Sequence, residues 1–216
     1  MNEMIGQLGN LYTGAVADTL DELGYHNQCL PSDIRPLADS MKVAGPVYTV
    51  LGKRRHYDDG VDPRYRQMDM LDAIPSGAVI IVEPGNEFSA AHWGELMTNT
   101  ALQQGAKGIV INGGLRDSLQ ILDVGFPAFR KYHSPLTAAY RWNIDSFDIP
   151  IKVGNVTIEP GDYVLGDIDG VLIIPQAIIQ EVVEQTVAVA TKEDVVRASL
   201  QDGGNIRELF EEYKVF

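Results

Sequence analysis

Apolar positions along the chain fall into two patterns, helical spacing and short unbroken runs, and the two take turns. In LYTGAVADTLDELG (11–24), Ala15, Val16, Thr19, Leu20 and Leu23 share one face, which predicts a helix capped by Thr13 and stopped by Gly24. GPVYTVL (45–51) predicts a strand. The polar segment that follows, GKRRHYDDGVDPRYRQMDMLDAIPSG, turns helical near Tyr65 and ends at Pro75. AVIIVEPG (78–85) is wholly apolar before its turn, as expected of a strand covered on both faces. SAAHWGELMTNTALQQG (89–105) predicts a helix closed by Gly105, and GIVI (108–111) a second buried strand. Strand, helix and strand with short connections make a βαβ unit. SLQILDVG (118–125) then predicts a short helix and FPAFRKY (126–132) a strand.

The last third changes character. IPIKVGNVTIEPGDYVLGDIDGVLIIP (149–175) carries turn signals at Gly154-Asn155, Pro160-Gly161 and Asp169-Gly170, which predict consecutive β-hairpins. Pro175 is expected in the first turn of a long helix running to about Leu200, broken by Gly203-Gly204, before an amphipathic end, NIRELFEEYKVF. With no repeat, low-complexity tract or linker, residues 1–216 are expected to form one mixed α/β domain. It has a βαβ core, a hairpin-rich β layer and helices at both ends.

Composition narrows the function classes. The chain has 216 residues, 45% hydrophobic and 22% charged, the profile of a soluble globular protein. No apolar run approaches the ~20 residues of a membrane span. The start, MNEMIGQLGN, lacks the basic region and apolar core of a secretory signal. The single cysteine, Cys29, excludes an internal disulfide and suits a reducing cytoplasm; it is expected to be a small buried or half-buried side chain. A net charge of −13 argues against nucleic acid as a partner and leaves small anions open.

NGGLRD (112–117) raises the chemical question, because a buried strand ends there on two glycines and an Arg-Asp pair. Parallel strands share their carboxyl-end direction, so 78–82 and 108–111 deliver the HWGELM segment and NGGLRD to one edge, where ligands favour α/β sheets. Glu95, Arg116 and Asp117 are therefore expected to meet. Backbone N–H groups from Gly94 to Met97 suit a carboxylate if the helix begins there, and Gly94 admits close approach. Arg116 offers a planar fork of donors for a carboxylate or enolate oxygen. Asp117 suits a hard divalent cation such as Mg²⁺, with Glu95 holding one of its waters. An Arg-Asp pair is also an ordinary ion pair and Gly-Gly an ordinary turn; placement opposite WGELM sets this one apart.

At these residues the chain resembles a known family. AHWGELMTNTALQQGAKGIVINGGLRDSLQILDVGFPAF, the Pro-Gly-Asp turn and Asp-x-Asp-Gly hairpin of the last third, and the first helix are similar to the RraA-like family. That family includes the class II pyruvate aldolases acting on 4-hydroxy-4-methyl-2-oxoglutarate and 4-carboxy-4-hydroxy-2-oxoadipate. The resemblance implies a layered αββα sandwich assembled as a homotrimer or homohexamer. It also implies a Mg²⁺ (or Mn²⁺) lyase that cleaves a 4-hydroxy-2-oxo acid to pyruvate and also decarboxylates oxaloacetate. By the resemblance, Glu95 stands where family members usually carry Asp, with twenty residues between it and Arg116, so it adds a methylene to the acid. By the same resemblance Asp117 is the metal ligand, Glu95 acts through a water and Arg116 binds the oxo acid. Leu96 and Met97 hold its carboxylate, and Glu193 (with Asp194 next) reaches the metal from a neighbouring subunit.

Other residues are weighed beside these. His92 is a candidate substrate contact. Lys53, Arg54, Arg55, His56 and Tyr57, with Arg64 and Arg66, form a basic stretch that suits a lid over an anionic substrate tail or simply a solvated loop. Arg130, Lys131 and His133 are candidates for the same mouth. Asp167, Asp169 and Gly170 lack calcium-loop spacing and are expected to form a hairpin turn. GQLGN has no preceding strand and is not a dinucleotide fingerprint. Two alternatives remain beside the aldolase: a non-catalytic regulator of an RNA-degrading endonuclease, against which Glu95 argues, and a lyase acting on a sugar-derived acid.

Overall fold

The computed structural model describes residues 2–55 and 62–215. Along them lie α1 (Asn2–Asn10), α2 (Thr13–Glu22), β1 (Arg35–Pro36), β2 (Val43–Arg54), α3 (Pro63–Asp72), β3 (Val79–Glu83), β4 (Ala91–Trp93), α4 (Glu95–Gln104) and β5 (Gly108–Leu115). The chain continues through α5 (Ser118–Asp123), β6 (Ala128–His133), β7 (Trp142–Phe147), β8 (Ile151–Val153), β9 (Val156–Ile158), β10 (Tyr163–Gly166), β11 (Val171–Ile174), α6 (Ile179–Gln201) and α7 (Ile206–Tyr213).

Side-chain alternation along the central strands builds the layers. Ile80, Val82, Ile109 and Ile111 face one way, onto Met70 and Leu71 of α3, Ala101 of α4 and Ile121 of α5. Val79, Ile81, Val110 and Phe129 face the other way, where they meet Val164, Val171 and Ile173 of β10 and β11 and the apolar residues of the β8–β9 hairpin. The outer side of β10 and β11, with Tyr163, Leu165, Leu172 and Ile174, packs on Leu8, Val16, Leu20, Val182 and Val183 of α1, α2 and α6. The order is helix, sheet, sheet, helix, as expected. Burying each Val, Ile or Phe contributes about 1.5–3 kcal/mol, so three interleaved apolar interfaces hold the stack.

Among the described residues a nine-stranded curled sheet spans both layers, in the order β1-β6-β5-β3-β2-β10-β11, with β4 paired to β5 and β7 to β2, and β8 and β9 form a separate two-stranded sheet. Strand β2 joins the layers, because residues 43–46 run antiparallel to β10 and residues 47–51 parallel to β3. The βαβ unit stands as predicted, with Ile80 opposite Ile109. Among the described residues no helix is long and apolar enough to cross a membrane.

Several expected details are corrected. Thr13 is the first residue of α2 and not its cap; its N–H and hydroxyl donate to Asp167 at 2.8 and 2.6 Å, so the turn between β10 and β11 caps the helix from outside. Two of the three expected turns close hairpins that follow one another, β8 with β9 and β10 with β11, whereas Pro160-Gly161 carries the chain from one pair to the other. Buried Asp162 fixes that crossing by accepting from the N–H groups of Glu159 (2.9 Å) and Gln176 (3.0 Å). Pro175 precedes a single 3-10 turn, and the long helix starts only at Ile179. Cys29 is exposed rather than buried or half-buried.

Candidate active site

The helix predicted from residue 89 is a strand followed by a helix. Ala91, His92 and Trp93 are buried as β4, parallel to the far half of β5, with Ala91 opposite Gly114 and Trp93 opposite Leu115. The Trp93 indole N–H donates to the Thr98 hydroxyl at 2.8 Å, which ties the strand to the helix that follows. Gly94 is the cap residue of α4, so the first helical N–H groups belong to Glu95, Leu96 and Met97. A helix leaves those groups without partners inside it.

The paired glycines of NGGLRD are also strand, not turn. A Cβ on Gly113 would lie 2.6 Å from the His92 Nδ1, and one on Gly114 would lie 2.5 Å from the Ala90 carbonyl oxygen. Their absent side chains let β4 lie against β5 past Ile111, so that Arg116 and Asp117 emerge beside Gly94.

There the chain bounds a cleft of about 490 Å³ lined by Arg64, Gln67, residues 91–97, Arg116, Asp117, Gln120 and residues 137–139. The expected set of Gly94, Glu95, Leu96, Met97, Arg116 and Asp117 is therefore brought together. Asp117 has φ 57° and ψ 38°, the left-handed conformation that Asp tolerates better than most residues. Its Oδ2 accepts from the Glu95 N–H at 3.1 Å and lies 3.4 Å from the Arg116 Nε. Both contacts fall on Oδ2, so Oδ1 has no protein partner among the described residues. The Arg116 and Asp117 side chains are 41% and 39% exposed, which makes this a solvent-accessible pair and not a dry one. The Asn99 side-chain amide donates to Glu95 Oε1 and orients that carboxylate.

Gly94 is the hinge of this arrangement. Its φ of −151° suits any residue, yet a Cβ would sit 2.6 Å from Asp117 Oδ2 and 3.2 Å from Arg116 Nε. Gly94→Ala is expected to leave thermal unfolding nearly unchanged while lowering turnover on the order of 10²-fold by displacing Asp117. Wild-type turnover in that variant would show that the Asp117 position is not critical.

His92, a candidate substrate contact, lies in the cleft wall but is buried, and both its ring nitrogens face partners inside the protein. The Gly114 N–H donates to its Nδ1 at 3.1 Å, so the ring proton sits on Nε2, 3.0 Å from Glu87 Oε2. Its ring also stands edge-on to Trp142. Burial pushes the His92 pKa below its ordinary 6.5, against the pull of Glu87. Burial also works to raise the Glu87 carboxyl, but hydrogen bonds from Ser89, His92 and Ala90 outweigh it and hold that group low.

A depressed folded pKa gives stability that is present above the unfolded value and lost as pH falls. For His92 the loss begins near 6.5, where the unfolded chain takes up a proton that the buried ring refuses. His133, lowered by burial and by Arg130, adds to the same window. Unfolding free energy should decline as pH falls through the ordinary histidine value of 6.5, and His92→Gln should flatten part of that decline. An unaltered pH slope in the variant would assign the effect elsewhere.

The basic stretch divides. Arg64 and Gln67 of α3 line the cleft, although Arg64 is engaged by Asp62, the cap of its own helix. Lys53 pairs with Asp145, and Arg66 lies 4.7 Å over the Phe147 ring. Arg55 donates to the Ala139 carbonyl at 2.6 Å, while His56 and Tyr57 lie outside the described residues. Arg130 and Lys131 do not line the cleft: Arg130 donates to Arg35 and His133, and Lys131 pairs with Asp33. His133 lines an adjoining groove that shares Arg116 and Asp117. Glu193 sits on α6, in the opposite helical layer of the same chain, accepting from the Tyr12 hydroxyl beside Arg197. Sequence reading missed Asn99, Gln120 and residues 137–139; Asn99 alone carried a signal, its spacing of four from Glu95.

Comparison with known proteins gives the family. The family model described as Aldolase/RraA matches residues 13–173. DlpA of Legionella pneumophila is 29% identical over 99% of this chain, which spans only 34% of DlpA's own length. A Halalkalibacterium halodurans protein named "Putative 4-hydroxy-4-methyl-2-oxoglutarate aldolase" is 31% identical over 85% of this chain and 81% of that one. A solved structure described as novel cellulases from microbes associated with the gut ecosystem superposes with a TM-score of 0.84 at 36% identity, covering 89% of this chain and 86% of the other. The matched span holds the whole strand–helix–strand unit, its cleft and the hairpin that caps α2, and the chain belongs to the RraA-like family.

Proposed function

We propose that the cleft is a divalent-metal-dependent lyase site that cleaves a 4-hydroxy-2-oxo acid by retro-aldol reaction to pyruvate. The observation that carries this reading is the convergence of Arg116, Asp117 and the start of α4 on one cleft. The aldolase name of the Halalkalibacterium relative supports the substrate class. The donor set fits Mg²⁺ or Mn²⁺: Asp117 has an unpartnered carboxylate oxygen, with Glu95 beside it to act through water. Among the described residues no three His, Cys, Asp or Glu side chains gather as a full protein cage would require. Such an ion, when bound, supplies Lewis-acid polarisation of the 2-oxo carbonyl.

The chain's own groups do the rest. The Leu96 and Met97 N–H groups receive the substrate carboxylate at the positive end of α4. Arg116 holds the oxo oxygen and stabilises the negative charge that develops there as the C3–C4 bond breaks. Glu95, steadied by Asn99, accepts the proton of the C4 hydroxyl through a held water, and returns it by the same water to C3 of the enolate, which becomes the pyruvate methyl group. Oxaloacetate decarboxylation passes through the same enolate and belongs to the same site. We further propose a homotrimer or homohexamer in which Glu193 of a neighbour completes the ion's surroundings. Cytoplasmic placement suits an exposed Cys29 thiol.

The test is pyruvate release from 4-hydroxy-4-methyl-2-oxoglutarate and from oxaloacetate, with Mg²⁺ and with EDTA. Release that EDTA abolishes is expected. Release indifferent to EDTA, or none from either compound, would contradict this assignment.

A further inference from the structure

The proposed reaction occupies only part of the cleft: the start of α4 takes the carboxylate, Arg116 the oxo oxygen, and Asp117 with Glu95 the ion and the moving proton. The rest of the lining is left for the part of the substrate beyond C4. It consists of Arg64 and Gln67 of α3, Gln120 of α5 and residues 137–139.

These groups are either uncharged or already cancelled. The Arg64 Nε donates to both oxygens of Asp62, at 2.8 and 2.9 Å, so the pair presents no net charge. Gln67 is half-buried and Gln120 exposed, and neither side-chain amide has a protein partner among the described residues. An amide carries donors and an acceptor together, which matches a hydroxyl group and not a carboxylate that only accepts. The Thr137 hydroxyl accepts from the Ala139 N–H at 3.3 Å, which leaves its own proton to donate.

The sum of charges points the same way. Arg64 and Asp62 cancel, Arg116 and Asp117 cancel, and Glu95 leaves the cleft with one negative charge. A divalent ion turns that into one positive charge, which a single carboxylate at α4 neutralises. A neighbour's Glu193 at the ion would lower the sum further. A second carboxylate meets no uncancelled cation among the described residues that line the cleft, in a chain whose net charge is −13.

We propose that this part of the cleft selects 4-hydroxy-2-oxo acids with an uncharged, polyhydroxylated tail over dicarboxylic ones, with Gln67, Gln120 and Thr137 as the hydroxyl-binding residues. The inference rests on the proposed lyase reading and turns its substrate class away from the dicarboxylic acid in the name of the Halalkalibacterium relative. Cleavage runs as before. The C4 hydroxyl gives up its proton, the C3–C4 bond breaks, C4 leaves as an aldehyde that carries the hydroxylated tail, and C3 takes the proton to become the pyruvate methyl group.

The test uses three substrates of equal chain length, each supplied as both C4 epimers: 4,5,6-trihydroxy-2-oxohexanoate, 4-hydroxy-2-oxohexanoate and 4-hydroxy-2-oxoadipate. Pyruvate release from each is followed with the full chain and Mg²⁺. Two or more hydrogen bonds to tail hydroxyls predict a kcat/KM for the trihydroxy acid about tenfold or more above that of either other compound. Gln67→Leu and Gln120→Leu should each lower the trihydroxy-to-apolar ratio about threefold or more. The ratio is the readout because lost folding or a lost ion slows all three substrates alike. A wild-type preference for the adipate or the plain hexanoate, equal rates on all three, or a ratio that survives both substitutions would overturn the tail selection while pyruvate release keeps the lyase reading. No pyruvate from these three, nor from 4-hydroxy-4-methyl-2-oxoglutarate and oxaloacetate, would overturn both.

Discussion

Arg116→Ala is expected to lower kcat for pyruvate release by about 10²–10³, the usual cost of removing one donor aimed at developing negative charge. The side chain is half-exposed in the cleft and, among the described residues, anchored only through its Nε, near Asp117, which leaves its terminal donors for substrate. Arg116→Lys should recover only part of the loss, since an ammonium lacks the planar fork. Steady-state kinetics on 4-hydroxy-4-methyl-2-oxoglutarate read both. A rise in KM with kcat intact would mean that Arg116 binds ground state and transition state equally, and would remove it from the bond-breaking step.

Asp117→Ala should be at least as damaging. A divalent ion held by Asp117, as proposed, would supply several kcal/mol of charge stabilisation, and each 1.36 kcal/mol is tenfold, so a loss on the order of 10³ is expected. The fold should survive, because the substitution removes one hydrogen bond to the Glu95 N–H and places Ala at φ 57°, each costing about 1 kcal/mol. Denaturant unfolding measured beside activity separates the two effects. Activity that falls only in proportion to lost folded protein would make Asp117 a structural residue.

Most of this site was legible before any coordinates. The apolar runs at 78–82 and 108–111, with a helix between, fixed which edge of the sheet Glu95, Arg116 and Asp117 share. Their spacing then matched a family pattern whose αββα layering the alternation of Ile80 against Ile81 reproduces. The errors cluster where tertiary contacts override local signals. AAHW reads as helix because Ala favours helices, yet β5 offers an unpaired edge once Gly113 and Gly114 clear it, and pairing decides the outcome. Thr13 has the side chain of a cap, but Asp167 arrives from a hairpin about 150 residues later and takes both its donors. His92 was legible as near the site but not as buried, since its two partners, Glu87 and the Gly114 N–H, belong to different elements. The groove around Ser118 and His133 is likewise made by residues fifteen apart on α5 and the end of β6, with no motif to join them.

The claim on which the rest depends is that one divalent ion sits at Asp117, within reach of Glu95. Titration of Mn²⁺ into the apo chain, followed by the loss of the free-ion paramagnetic resonance signal, tests it without substrate. The wild type should take up one ion per chain, Asp117→Asn should weaken that uptake by about 10-fold or more, and Glu95→Gln should weaken it less. Asn preserves the left-handed turn and the acceptor to the Glu95 N–H, so only the charge is lost. If Asp117→Asn binds Mn²⁺ as tightly as the wild type, the ion is held elsewhere and this cleft is not the metal-dependent lyase site.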